Sequence, residues 1–100
     1  MITGKQRAYL RKLGHGLKPV FQIGKDGLSD TVITAIDDAL EKRELIKISI
    51  LETAMIDTRA TCDEVASRLL AEPVQSIGSK FVLYRKSSNV KNRKIELPKK

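Results

Sequence analysis

The chain has 100 residues, of which 41% are hydrophobic, and a formal net charge of +7. This length suits one domain with a single core, and the hydrophobic share excludes wholesale disorder. No apolar run approaches the ~18 residues of a membrane span, the N-terminus lacks the apolar segment of a secretory signal, and the lone Cys62 excludes an internal disulfide, so we expect a cytoplasmic protein.

Apolar periodicity, with helix caps at Thr3, Ser29 and Asp57, predicts an α/β fold with the order α-β-α-β-α-β-β, in two layers of which the helices form one and the sheet the other. The predicted elements are a helix from Thr3 to Gly14, a strand over 20–23, a helix over 30–43, a strand over 45–51, a helix over 58–71, and strands over 74–77 and 81–85. The connection between the first two strands is long enough for a helical crossover, so these strands should run parallel. We expect one domain over 1–86 and a basic tail over 87–100.

Side-chain patterns assign a role to several helix faces and to the tail. One side of the third helix is predicted to be its core face and carries Cys62, Val65, Ala66, Leu69 and Leu70. Cys62 is accordingly interpreted as a small buried hydrophobe, not a reactive thiol. The carboxylates of the second helix are interpreted as a solvated face; they belong to Asp37, Asp38, Glu41 and Glu44. In the tail, Ile95 and Leu97 are the residues able to anchor a short extra strand.

The most informative segment joins the first strand to the second helix through Gly24, Lys25, Asp26 and Gly27. A glycine loop that enters a helix N-terminus points N–H groups outward where the helix dipole is positive, and Lys25 adds a full charge. We hypothesise that this GKDG loop holds a phosphate, as GxxG loops do in RNA-binding modules of the KH type. The alternative is that the glycines only form a turn. A P-loop is excluded because GxxxxGK[ST] is absent.

Charge is distributed unevenly along the chain. Residues 1–25 carry six Lys or Arg and no acidic residue. Residues 26–79 carry five basic and eleven acidic residues, and residues 80–100 carry eight basic residues and one acidic residue. If the two ends meet in space, they form one basic face of the kind that binds nucleic acid; two solvated mobile ends are the alternative. The candidate phosphate contacts before the loop are Arg7, Arg11, Lys12 and Lys18, and those after the acidic middle are Lys80, Arg85 and Lys86.

No residue pattern predicts an enzyme or a cofactor. His15 is the only histidine and Cys62 the only cysteine, which is too few for a metal site, and no nucleophile motif accompanies them. His15 is interpreted as packing or hydrogen bonding at the end of the first helix, with RNA contact as the alternative. The predicted strands lack the set of aromatic residues on which RNA bases stack in some RNA-binding domains. A DNA-binding protein and a protein-binding adaptor with a basic face remain open as alternatives.

The chain resembles, over essentially its whole length, the YhbY family of small bacterial proteins, the single-domain form of the CRM (chloroplast RNA splicing and ribosome maturation) domain. The resemblance rests on LRKLGHGLKP from Leu10, GKDGLS from Gly24, ALEKRELIKI from Ala39, IGSKFVLYR from Ile77 and KIELPKK from Lys94. It implies a fold similar to the C-terminal domain of translation initiation factor three, with a mixed four-stranded sheet whose last strand is antiparallel to the others.

The resemblance also implies a function. Family members are taken to bind RNA and to associate with precursors of the large ribosomal subunit. The family's GxxG loop corresponds to the GKDG loop, and its basic surface corresponds to Arg7, Arg11, Lys12, Lys18 and Lys25. Two departures are visible: Gly14 stands where members often have alanine, and Ser29 where they often have threonine, although Ser29 still suits a helix cap. The resulting expectation is a monomeric, non-enzymatic RNA-binding protein of ribosome assembly.

Overall fold

One four-stranded mixed sheet organises the chain in a computed structural model, which describes residues 2–99. The elements are α1 (Gly4–Gly14), β1 (Phe21–Ile23), α2 (Asp30–Arg43), β2 (Leu45–Ile50), α3 (Thr58–Leu69), β3 (Glu72–Ile77) and β4 (Lys80–Tyr84), with 3-10 helices at Glu52–Ala54 and Val90–Asn92. The strand order is β1-β2-β4-β3; β1 runs parallel to β2, and β4 runs antiparallel to β2 and β3. The predicted mixed sheet, its parallel first pair and its antiparallel last strand are confirmed.

Each of the three α-helices begins at the cap that the sequence predicts. At α1, the N–H of Gln6 donates to Thr3 Oγ1 over 3.1 Å, and the N–H of Thr3 donates to Gln6 Oε1 over 2.9 Å, which completes a capping box. Ser29 accepts the N–H of Val32 at α2, and Asp57 caps α3 in the same way. These bonds satisfy backbone donors that a helix cannot satisfy internally.

The larger hydrophobic core lies between α2, α3 and one face of the sheet. The fully or nearly fully buried residues of this core include Ile23, Ile36, Leu40, Ile46, Ile48, Cys62, Val65, Phe81 and Leu83. Burial raises the pKa of the Cys62 thiol to about 11, so the sulfur stays protonated at neutral pH. The prediction that Cys62 is a buried hydrophobe is confirmed.

The opposite face of the sheet is covered by α1 and the C-terminal segment. Leu10 of α1 is fully buried there against Leu45, Val74, Val82 and Tyr84, and Ile95 and Leu97 pack against the same cluster. Side chains alternate between faces along β2 and β4, so each of these central strands contributes to both cores. The α/β class is confirmed, but the helices lie on both faces of the sheet and do not form the single helical layer that we expected.

A buried carboxylate holds the C-terminal segment against the fold. Glu44 is fully buried and accepts the backbone N–H groups of Ser87 (2.8 Å), Lys94 (2.7 Å) and Ile95 (3.2 Å). Burial would raise the pKa of Glu44, but these three hydrogen bonds, with help from Arg93, outweigh it and hold the pKa below its usual value. The expectation that Glu44 belongs to a solvated face is therefore wrong.

Three further expectations differ from the structure. Leu70 is 88% exposed, not part of the core, because α3 ends when this residue adopts the left-handed conformation at φ 53. Strand β3 includes Pro73, which is tolerated because β3 is an edge strand and a register shift follows this residue. The tail forms a 3-10 helix and no strand within residues 87–99.

None of the helices in residues 2–99 has the length and apolar character to cross a membrane.

Candidate nucleic-acid interface

The GKDG loop is a tight, exposed turn at the C-terminal end of β1. The N–H of Gly27 donates to the carbonyl of Gly24 over 2.9 Å, which closes the turn, and the side chains of Lys25 and Asp26 at its tip are exposed. Gly27 has φ +63, a conformation that favours glycine strongly over residues with a Cβ. The turn then enters α2 through the cap residue Ser29.

The two glycines of this loop differ in what the fold requires of them. A Cβ on Gly24 would lie 3.8 Å from Leu51 Cδ1, which is an ordinary contact, and Gly24 is not among the glycines with positive φ. A Cβ on Gly27 would meet no atom within 4 Å, but the backbone there would be strained. Backbone conformation therefore explains Gly27, whereas neither conformation nor packing explains Gly24. The missing side chain at Gly24 leaves the backbone open to close approach from outside.

Backbone donors and charges meet at this turn. The N–H groups of Lys25, Asp26 and Leu28 take part in none of the hydrogen bonds among residues 2–99, and Lys25 forms no ion pair there. Two carboxylates oppose the positive charge: Asp26 lies in the turn, and Asp30 begins α2. An anion at the turn would therefore depend on direct hydrogen bonds to free N–H groups and on Lys25, because the net side-chain charge is small.

The basic residues of α1 do not all lie beside the loop. Arg7 Nε donates to the carbonyl of Pro73 over 3.2 Å, and its Nη2 lies 4.0 Å from Glu72 Oε1, so Arg7 sits at the β3 edge. Strands β1 and β3 are opposite edges of the sheet, roughly 14 Å apart at three interstrand spacings. Arg11 and Lys12 are exposed in the last turn of α1. The structure thus separates Arg7 from the GKDG loop.

Lys18 lies closer to the β1 edge. It is exposed in the segment between α1 and β1, two positions before Val20, whose N–H donates to the carbonyl of Lys47 over 2.8 Å. That bond fixes the start of β1 against β2. Lys18 and Lys25 therefore flank the two ends of the same short strand.

The sequence reasoning did not single out Lys47, and it treated Lys80 only as one of many basic residues. With His15 these two lysines line a depression of about 160 Å³ on the sheet face that carries α1; Gln75, Ile77 and Val82 complete its lining. His15 ends α1, where its N–H donates to the carbonyl of Arg11 over 3.1 Å, and its side chain is exposed. The alternation of Lys47 and Ser49 with isoleucines in β2 is the signal that could have identified this face.

Arg85 is not available as a phosphate contact. Its guanidinium donates from Nη1 to Asp37 Oδ1 (2.7 Å) and to the carbonyl of Leu69 (2.9 Å), and from Nη2 to Glu41 Oε1 (3.4 Å). The side chain is only 17% exposed. Arg85 therefore joins α2 to the end of α3, and its partners Asp37 and Glu41 remain 47% and 33% exposed to solvent. Within residues 2–99, no group of three His, Cys, Asp or Glu side chains is arranged to hold a metal ion.

The sequence of this chain is similar to those of a known protein family. Residues 2–85 match the model of the CRS1 / YhbY (CRM) domain. The chain is 43% identical over 98 residues to the Bacillus subtilis protein named "Probable RNA-binding protein YqeI", covering 98% of this chain and 100% of that protein. It is 34% identical over 99 residues to a Haemophilus influenzae protein named "RNA-binding protein", covering 99% of this chain and 97% of the relative.

A solved structure agrees with these sequence matches. The solution structure of SAV1595 from Staphylococcus aureus, described as a candidate RNA-binding protein, superposes with a TM-score of 0.81 at 46% identity. The superposition covers 98% of this chain and 100% of SAV1595. Because both the family model and full-length relatives match, the resemblance predicted over essentially the whole chain is confirmed. The chain belongs to the CRS1 / YhbY (CRM) domain family.

Proposed function

We propose that this protein binds structured RNA through its sugar–phosphate backbone, with a phosphate held at the GKDG loop. The observation that carries the proposal is the exposed turn at Gly24–Gly27, whose N–H groups at Lys25 and Asp26 have no acceptor among residues 2–99. Such a turn can approach a phosphate closely because no side chain stands at Gly24. The loop would supply directional hydrogen bonds, and Lys25 a charge that is not engaged elsewhere among residues 2–99.

The remaining basic residues extend the same contact. Lys18 lies at the other end of β1, and Arg11 and Lys12 are exposed at the end of α1. Contacts of this kind position RNA without reading its sequence, so selection among RNAs would depend on shape. Arg7 would contribute less, because it lies at the far edge of the sheet and already contacts Pro73 and Glu72.

Two considerations favour RNA over the alternatives. The relatives from Bacillus subtilis and Haemophilus influenzae are named as RNA-binding proteins. The helix richest in basic residues, α1, packs its buried face on the sheet and is not the second helix of a helix-turn-helix. From the likeness to YhbY proteins we further propose a monomeric, non-enzymatic, cytoplasmic protein without a cofactor that binds large-subunit ribosomal RNA in pre-ribosomal particles.

The direct test replaces Lys25 and Asp26 together with glutamates. We expect the affinity for a structured ribosomal RNA fragment to fall about tenfold or more, because one attraction becomes a repulsion beside the phosphate. The thermal unfolding midpoint should change by only about 2 °C, since both side chains are exposed. The matched control is Asp38→Glu with Lys42→Glu, which makes the same charge change at exposed positions of α2. Equal affinity of the Lys25/Asp26 variant and the parent would refute the loop as the phosphate site.

A competition titration separates RNA from the other partners. Unlabelled structured RNA should displace a labelled RNA fragment at much lower concentration than duplex DNA does at the same salt concentration. Equal displacement by duplex DNA would favour the DNA-binding alternative. A complex purified from cells that survives nuclease treatment would instead favour the protein-binding adaptor.

A further inference from the structure

Helix α1 covers only part of its face of the sheet. Gly14, the last residue of α1, lies so close to the sheet that a Cβ on it would approach Val82 Cγ1 to 3.3 Å. Leu10, one helical turn earlier, is fully buried, whereas His15, the next residue after Gly14, is exposed. The sheet beyond Val82 is therefore the place where a partner can reach this face.

The residues at that place form what we call the basic sheet face. It consists of the six residues that line the 160 Å³ depression, namely His15, Lys47, Gln75, Ile77, Lys80 and Val82. Strand register places them side by side: Lys47 pairs with Val82, Gln75 pairs with Val82 from the other side, and Lys80 pairs with Ile77. Three strands thus present one continuous surface.

The chemistry of this surface suits a nucleic acid strand. No carboxylate lines the depression, and neither Lys47 nor Lys80 forms an ion pair within residues 2–99. Ile77 is 58% exposed beside the two lysines and offers an apolar contact to a base. A larger depression of about 360 Å³ at the β3 edge has mixed charge, because Asp63 lines it together with Arg7 and Arg59. Of these two depressions, only the one at the basic sheet face has no negatively charged group in its lining.

Strand register also connects the basic sheet face to the GKDG loop. Lys80 pairs with Ser49, and Ser49 pairs with Gln22, which is exposed on β1 two positions before Gly24. This row crosses three strands, and two interstrand spacings amount to roughly 10 Å. A continuous strand of a few nucleotides held at the loop can therefore reach Lys80.

We propose that the basic sheet face binds a single-stranded segment of RNA adjoining the structured part held at the GKDG loop. This inference rests on the proposed function. The two ammonium groups would take phosphates, and the amides of Gln22 and Gln75 would meet base edges, which only an unpaired strand exposes fully. Because no aromatic side chain lines the depression, the contact should depend on phosphates and base edges and not on base stacking.

The test compares a blunt RNA hairpin with the same hairpin carrying a short single-stranded extension. The double variant Lys47→Gln with Lys80→Gln removes the two charges, and Lys42→Gln with Lys91→Gln removes two exposed charges elsewhere as a control. We expect the extension to tighten binding of the parent and the control about tenfold, and the Lys47/Lys80 variant to lose this gain. When the Lys47/Lys80 variant binds the extended RNA, the slope of log affinity against log salt concentration should be less steep by about 1.4, which is about 0.7 for each lost phosphate contact.

The outcomes distinguish this inference from the function on which it rests. If the parent binds both RNAs equally, or if the Lys47/Lys80 variant keeps the gain, the basic sheet face is not the site, while RNA binding at the loop stands. If the parent binds neither RNA, both proposals fall. Should Lys47→Gln lower the unfolding midpoint, Gln22→Glu with Lys80→Glu tests the same surface at two exposed positions. Retention of the gain by that variant would overturn the inference equally.

Discussion

The carboxylate of Glu44 accepts the backbone N–H of Ser87 over 2.8 Å, which links two residues 43 positions apart in the chain. The same carboxylate accepts the N–H groups of Lys94 and Ile95, and Glu44 itself adopts φ 65, an uncommon conformation for a residue with a side chain. A buried charge is costly unless hydrogen bonds compensate it, and three N–H donors do so here. Glu44 therefore stabilises the fold by fixing the C-terminal segment.

Replacing Glu44 with glutamine should destabilise the protein by about 2 kcal/mol, because only one side-chain oxygen remains as an acceptor and the new NH2 group faces an N–H donor that it cannot satisfy. For a chain of this size we expect the unfolding midpoint to fall by about 10 °C. Urea and thermal unfolding measure both quantities. An unchanged midpoint would contradict the role assigned to this carboxylate.

The same residue predicts a dependence of stability on pH. The pKa of Glu44 is lowered in the folded state, so its contribution is fully present above the ordinary value of 4.5 and is lost as the pH falls through the lower folded pKa. Glu41, whose pKa is also lowered, mainly by hydrogen bonds from Ser88, acts in the same direction. The difference in unfolding free energy between parent and Glu44→Gln should therefore shrink below about pH 4.5.

Gly24→Ala should separate binding from folding. The added methyl group meets only an ordinary contact at Leu51, so we expect the unfolding free energy to change by less than about 0.5 kcal/mol. RNA affinity should fall about fivefold, because the methyl group stands where a phosphate would approach. Gly27→Ala is the informative comparison. Because Gly27 has a positive φ, this variant should lose about 1 kcal/mol of unfolding free energy in addition to RNA affinity. Fluorescence anisotropy and thermal unfolding together distinguish the two variants.

Arg85→Lys should weaken the fold and leave RNA binding intact. An ammonium group cannot reproduce the planar set of bonds to Asp37, Glu41 and the carbonyl of Leu69, so we expect a loss of about 1–2 kcal/mol in urea unfolding. The affinity for RNA should stay within about twofold, because the side chain is mostly buried on the α2 side of the molecule. A strong loss of RNA affinity at unchanged stability would return Arg85 to the interface.

Leu70→Gly should stabilise the protein. Leu70 has φ 53 and is 88% exposed, while the N–H of Ala71 after it bonds back to the carbonyl of Ala66, a helix ending that favours glycine. Because the leucine side chain buries little apolar surface, relief of the backbone strain should dominate, and the net gain should be about 0.5–1 kcal/mol. Thermal unfolding measures it, and a lower midpoint would show that the packing of the Leu70 side chain outweighs the strain.

Local signals in the sequence were sufficient for most secondary structure. The Ser29 cap and the basic pair Lys42 and Arg43 predicted α2 over its observed bounds, because these signals act within a few residues of the helix ends. The alternation in β2 and the turn at Gly78 were equally local. Such patterns depend on residues that are neighbours in the sequence, so they can be recognised without knowledge of the fold.

Long-range relationships could not be predicted in this way. A glutamate after a helix is normally solvated, and only the return of the chain at Ser87 explains why Glu44 is buried. Arg7 and the GKDG loop looked adjacent because both belong to the basic N-terminal quarter, yet the sheet order places them at opposite edges. The basic sheet face was hidden for the same reason, since its lysines come from strands far apart in sequence.

The amide of Gln6 donates to the carbonyl of Pro98 over 2.9 Å, across 92 positions of the chain. Helix α1 is synthesised early, yet the residues that complete its packing, Ile95 and Leu97, emerge from the ribosome much later. Strand β4 supplies Phe81 and Leu83 to the larger core and Val82 and Tyr84 to the cluster under α1, so both cores need this strand, but only the second also needs Ile95 and Leu97. Loss of the segment that carries Ile95 and Leu97 would therefore uncover the cluster under α1 and leave the core under α2 and α3 closed.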